Sequence, residues 1–141
     1  MVAPAPDRPA SPPRRLLVIE DEAAVRRTIV RVLEEAGYAA VGVSDGARAL
    51  ELLREGTRFD AIMLDVSMPE MNGYQFRVRQ LADPELASIP VIVLSGEASR
   101  PMARRLLAAG FVTKPFLRGE LVAAIESAVG GEQVDLRATR S

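Results

Sequence analysis

Short apolar runs and amphipathic stretches alternate along this chain. Residues 16–19 (Leu-Leu-Val-Ile) form a continuous apolar run, as expected of a strand buried on both faces. After it, Val25, Ile29, Val32, Leu33 and Ala36 recur at helical spacing. Arg26, Arg27, Arg31, Glu34 and Glu35 fill the solvent side of that helix, and Gly37 marks its stop. Residues 38–43 read as a second strand, and 47–55 as a helix that can bury Ala49, Leu50, Leu52 and Leu53. The third strand is 61–64, followed by a helix from about Gly73 to Ala82. The fourth strand is 90–94, a helix lies within 99–109, and a short strand covers 111–113. The last helix, 119–129, has Leu121, Val122, Ile125 and Val129 on its apolar side. Five strands alternating with five helices predict an α/β fold, a parallel sheet covered on both faces. Ligands of such sheets bind beyond the carboxyl ends of the strands.

The ends of the chain break this pattern. Residues 1–13 hold five of the ten prolines among Ala, Asp, Arg and Ser, too little apolar surface to offset the entropy of ordering. A disordered arm is expected there. Residues 130–141 open with Gly130-Gly131 and stay polar, a short tail. One domain over 14–129 is expected between them, with no output domain after it.

Composition narrows the chemistry. Of 141 residues, 48% are hydrophobic and 26% charged, an ordinary globular balance. With 18 basic and 19 acidic side chains the formal net charge is −1, which gives no footprint for nucleic acid or an anionic membrane. No apolar run approaches the ~18 residues of a membrane span, and 1–13 lacks the apolar core of a secretory signal, so a cytoplasmic location is expected. Without Cys, disulfides and thiolate sites are excluded; without His, so are imidazole ligands, shuttles and the serine triad. Carboxylates, hydroxyls, Lys and Arg remain, which points to oxygen ligands and to Mg²⁺ or a similar cation.

Those residue types collect at the strand ends. The first strand delivers Glu20 and Asp21, the third Asp65, the fourth Ser95, and the fifth Lys114 before Pro115 and Phe116. Glu22 reads as a first-turn acid of the following helix. If the first and third strands are neighbours, their carboxylates converge and ionise together only when a cation offsets the repulsion. Such a cation would polarise an incoming phosphoryl group while Asp65 attacks in line. Ser95 and Lys114 are placed to meet the phosphoryl oxygens, and Gly96 leaves room for approach.

At this point the chain resembles a response-regulator receiver domain of two-component signalling, of the chemotaxis-regulator type. The matching segments are Leu-Val-Ile-Glu20-Asp21-Glu, Ile-Met-Leu-Asp65-Val-Ser-Met-Pro-Glu-Met-Asn-Gly-Tyr, Val-Ile-Val-Leu-Ser95-Gly and Thr-Lys114-Pro-Phe. Asp21 and Asp65 lie 44 positions apart, and Asp65 and Ser95 30, as is typical of that family. The resemblance implies a flavodoxin-like sheet of order 2-1-3-4-5. It implies Asp65 as phospho-acceptor and Mg²⁺ held by Asp21, Asp65 and the Ser67 backbone carbonyl, with Glu20 acting through water. It makes Ser95 the switch hydroxyl, Lys114 the phosphoryl partner, and Phe111 the aromatic that turns inward.

In one place the chain departs from the family. Ser95 and Lys114 are 19 positions apart, about three fewer than usual, and only Ala-Ala-Gly110 stands before the aromatic. This bears on Phe111 and the face that receivers use for output, not on chemistry at Asp65. The implied partners are a sensor histidine kinase or histidine phosphotransfer protein, which supplies the phosphohistidine, and a downstream effector protein. The expected state is a monomer or a weak phosphorylation-dependent dimer. Two other readings stay open: a receiver-fold scaffold that does not use phosphorylation, and a haloacid-dehalogenase-type phosphatase. The latter has an acid two residues past its nucleophile, where this chain has Ser67.

Overall fold

A computed structural model of the chain describes residues 12–66, 72–96, 101 and 106–130. The elements in chain order are β1 (Arg15–Ile19), α1 (Ala23–Glu35), β2 (Ala39–Val43), α2 (Gly46–Arg54) and β3 (Ala61–Asp65). Then come α3 (Asn72–Ala82), β4 (Val91–Ser95), β5 (Gly110–Thr113) and α4 (Arg118–Gly130). All strand pairs are parallel, and the five-stranded sheet has the order β2-β1-β3-β4-β5. The expected helix within 99–109, the N-terminal arm up to residue 11 and the tail beyond Gly130 fall largely or wholly outside the described residues.

The apolar runs are continuous because alternate residues of each strand serve two cores. Leu17, Ile19, Ile62, Leu64, Val91 and Val93 face Leu50 and Leu53 of α2 and Phe76 of α3. Leu16, Val18, Met63, Ile92, Leu94 and Val112 face Ile29 and Leu33 of α1 and Leu121 and Ile125 of α4. Each large side chain removed from water in this way contributes about 1.5–3 kcal/mol before ordering costs.

Helix ends follow local chemistry. Asp45 caps α2 by accepting the Arg48 N–H at 2.8 Å, and Gly37, at φ 101°, closes α1. Glu120 reaches back from the first turn of α4 to the Leu117 N–H at 2.9 Å. The fourth strand begins at Val91, one residue later than expected: Pro90 has no N–H to donate, though its carbonyl accepts from Ile62 N at 2.9 Å. The third strand runs one residue longer and takes in Asp65, because Asp65 pairs with Leu94 and Val66 N donates to Leu94 O at 3.0 Å.

One core contains a polar network. Arg77 and Gln80 of α3 are buried, and burial lowers the Arg77 pKa from its ordinary value. The Arg77 guanidinium donates to the carbonyls of Leu106 and Leu107 at 2.8 and 2.7 Å and to Gln80 Oε1 at 2.6 Å. Gln80 Nε2 donates in turn to the carbonyls of Leu86 and Ile89 at 2.9 and 3.1 Å. These bonds pin two irregular segments to α3, and Leu86 and Leu106 are buried residues whose carbonyls would otherwise lack these donors.

Candidate functional site

The sheet order makes β1 and β3 neighbours, with chain crossing to opposite sides after them, and this opens a crevice at their carboxyl ends. Glu20 follows β1 directly, and Asp65 is the last residue of β3. Carboxylate oxygens of Glu20, Asp21 and Asp65 all lie within 4.8 Å of one another. Glu20 and Asp65 are each 1% exposed, whereas Asp21 opens to solvent. The N-cap of α1 is Glu22 rather than Asp21, so helix capping does not claim the Asp21 carboxylate.

Lys114 completes the cluster from the end of β5. Its Nζ lies 3.1 Å from Asp65 Oδ2 and 3.4 Å from Glu20 Oε1. Its main chain is fixed by donation from Lys114 N to Ser95 O at 2.9 Å, and the Lys114–Pro115 bond is cis. Ser95 is buried at the end of β4, one residue beyond Leu94, the register partner of Asp65. The ends of β1, β3 and β5 thus meet at one place, with Ser95 buried at the end of the intervening β4.

Burial and the neighbouring carboxylate shape the electrostatics. Burial first, then a hydrogen bond and like charge from Asp65, push the Glu20 carboxyl up to about 7, against the Glu22 N–H and Lys114. Burial pulls the Lys114 ammonium down, but Asp65 and Glu20 outweigh it and hold its pKa above the ordinary lysine value. Once Glu20 has released its proton, two buried acids beside one ammonium leave negative charge for a cation to match. Oxygens around an octahedral Mg²⁺ sit roughly 3–4 Å apart, a spacing this cluster meets with small side-chain adjustment. The donor set, all hard oxygens, suits that ion.

Of the other expected site residues, Ser67 lies outside the described residues. Phe111 is 49% exposed on β5, so it is not a core aromatic in this state. Arg26 departs from the solvent-face expectation: it is half-buried and its Nη1 donates to Glu20 O at 2.8 Å.

Gly73 supports the site from α3. A Cβ at Gly73 would lie 2.8 Å from the Asp65 carbonyl oxygen and 3.1 Å from Val66 Cγ1. Main chain at a strand end cannot yield as a side-chain tip can. Gly73→Ala is therefore expected to cost roughly 1–3 kcal/mol, read as a lowered melting temperature. Unchanged melting would show that β3 tolerates the shift.

Comparison with known proteins agrees with this fold. The family described as response regulator receiver domain matches residues 16–126. The chain belongs to the response regulator receiver family. The transcriptional regulatory protein PdtaR of Mycobacterium tuberculosis is 37% identical over 133 residues, covering 92% of this chain and 63% of that protein. The two-component response regulator ORR3 of Oryza sativa is 36% identical over 107 residues, covering 74% of this chain and 82% of its own. Other curated relatives are longer still, and the chain spans about half of their length. Among solved structures, the chemotaxis response regulator CheY4 of Vibrio cholerae superposes with TM-score 0.72 at 26% identity, covering 82% of this receiver and 98% of that chain. The receiver domain of sensor histidine kinase PA1611 from Pseudomonas aeruginosa has TM-score 0.75 at 26% identity, covering 84% and 99%. That structure holds a magnesium ion in its active-site cleft. Receivers are phosphoryl-accepting signalling switches, and no helix among the described residues is long and apolar enough to cross a membrane.

Proposed function

We propose that this receiver accepts a phosphoryl group on Asp65 from a partner phosphohistidine in a Mg²⁺-dependent reaction and signals through altered protein binding. The observation that carries the reading is the convergence of Glu20, Asp21 and Asp65 with Lys114 at one crevice. One Asp65 oxygen attacks phosphorus, the N–P bond breaks, and the donor imidazole leaves with the electron pair. Asp21 and Asp65, with the Ser67 carbonyl, would hold Mg²⁺, which would supply positive charge against the phosphoryl oxygens, and Glu20 would act through water. Lys114 transfers its ion pair from Asp65 to a phosphoryl oxygen, and Ser95 donates its hydroxyl to another.

The new group adds roughly −1.5 to −2 charge. In this reading Ser95 moves to meet it, and Phe111 leaves its half-exposed position for the space behind. A stand-alone role would make the output a contact with an effector protein. The donor would be a sensor histidine kinase or histidine phosphotransfer protein, and the site of action the cytoplasm. The resting chain would be a monomer or a weak dimer strengthened by phosphorylation. The direct test is incubation with acetyl phosphate, with Mg²⁺ and with EDTA. The chain gains one phosphoryl group only with the metal; no gain in either leaves the scaffold reading standing.

The Glu20 carboxyl makes the site pH-dependent. Its pKa of about 7 in the metal-free fold exceeds the ordinary 4.5, so between those values the folded chain holds a proton that the unfolded chain has released. Stability of the metal-free chain therefore falls as pH rises from about 4.5 to about 7 and levels off above. A cation beside Glu20 favours its ionised form, so the apparent Mg²⁺ affinity rises with pH up to about 7. Calorimetric titrations at pH 5.5, 6.5 and 8 check this, and an affinity flat across that range contradicts it.

A further inference from the structure

We propose that Arg26 is a positioning residue for the acidic cluster, holding the plane of the Glu20–Asp21 peptide, and that Gly42 keeps open the channel its side chain needs. Arg26 Nη1 donates to the Glu20 carbonyl at 2.8 Å, a charge-assisted bond stronger than a neutral pair. A peptide group is planar, so the Glu20 C=O and the Asp21 N–H turn as one unit. Fixing the carbonyl fixes the direction in which Asp21 leaves the strand. Glu20 is already held upstream, where its N–H donates to Val43 O at 3.0 Å, and its Oε2 accepts the Glu22 N–H at 3.2 Å. Arg26 restrains the remaining link, the main-chain joint between the buried acid and the exposed one.

Gly42 gives independent support. It lies in β2, where a glycine weakens a strand and often marks a close approach. A Cβ there would lie 2.8 Å from Arg26 Cγ, 3.1 Å from Arg26 Cδ and 3.3 Å from Val30 Cγ2. Cγ is near the root of the side chain, so it cannot swing aside while the guanidinium stays on Glu20. The neighbouring Arg27 and Arg31 of α1 stay exposed. Charge alone predicts the opposite effect: removing a nearby cation would strengthen Mg²⁺ binding, whereas losing a positioning bond weakens it.

The test compares wild type, Arg26→Ala, Gly42→Ala and the double variant. Mg²⁺ affinity is read by calorimetry, and hydrogen exchange of the Glu22 amide, which donates to Glu20 Oε2 across the Glu20–Asp21 joint, is read in the metal-free chain. Each single variant is expected to bind Mg²⁺ about fivefold more weakly and to exchange the Glu22 amide about fivefold faster. The double variant should match Arg26→Ala, because the space is then vacant. Exchange at Val93 in β4 stays slow and separates a local change from unfolding. The magnesium arm rests on the proposed metal-dependent function: if wild type takes up no Mg²⁺, that function falls, and Glu22 exchange alone judges Arg26. Unchanged Glu22 exchange in Arg26→Ala overturns the proposal. So does an Mg²⁺ affinity that holds or tightens in that variant, or a double variant whose losses multiply.

Discussion

Lys114→Met is expected to slow phosphoryl transfer to Asp65 by roughly a hundredfold or more, the usual loss when one group opposing transition-state charge is removed. It is also expected to destabilise the fold in a pH-dependent way. Lys114 Nζ lies 3.1 Å from Asp65 Oδ2 and 3.4 Å from Glu20 Oε1, and both acids are almost fully buried. Breaking a buried ion pair by removing one partner costs about 3–5 kcal/mol. Here the cost is lower, because the Lys114 side chain is 24% exposed and Glu20 escapes its charge by binding a proton. At pH 8, above the Glu20 value of about 7, Glu20 faces the loss charged, and roughly 2–3 kcal/mol is expected. At pH 5.5 the Glu20 proton is already in place and the loss is smaller. Melting curves at the two pH values measure the difference, and equal losses would show that Lys114 does not offset Glu20.

Arg77→Met is expected to have the largest effect on stability alone. Methionine retains much of the apolar volume, but the carbonyls of Leu106 and Leu107 and the Gln80 Oε1 each lose a donor. Leu106 and Gln80 are buried, and an acceptor left there without a partner costs about 1–3 kcal/mol, whereas Leu107 is exposed enough for water to replace its donor. Relief from burying the guanidinium returns part of that, so a net loss of about 3 kcal/mol follows. For a domain of this size the melting temperature should fall by about 10 °C. A fall of less than about 3 °C would show that other donors reach these oxygens. Arg77 also bears on the shortened stretch between Ser95 and Lys114: it ties Leu106 and Leu107, the latter at φ 55°, to α3.

The strands were legible because a parallel sheet covered on both faces must be written as unbroken apolar runs. The site was legible because it is made of strand ends, and a carboxylate, hydroxyl or ammonium directly after such a run has one place to go. The rest depended on partners remote in sequence. Helical periodicity puts Arg26 on the polar side of α1, yet a long side chain can fold back across the neighbouring strand, and only the glycine within Ala39–Val43 hinted at it. Periodicity fails in α3, where Arg77 and Gln80 are buried while Tyr74, Val78 and Leu81 are 38%, 50% and 39% exposed. A buried polar pair there is intelligible only once the carbonyls of Leu86, Ile89, Leu106 and Leu107 are in place around it.

The central claim is that Asp65 receives the phosphoryl group. Intact-mass measurement of wild type and Asp65→Asn after incubation with acetyl phosphate and Mg²⁺ tests it most directly. The account predicts one added phosphoryl group on the wild type, none on Asp65→Asn, and no gain on either when EDTA removes the metal. An equal gain on both chains, or none on the wild type with Mg²⁺ present, would contradict it.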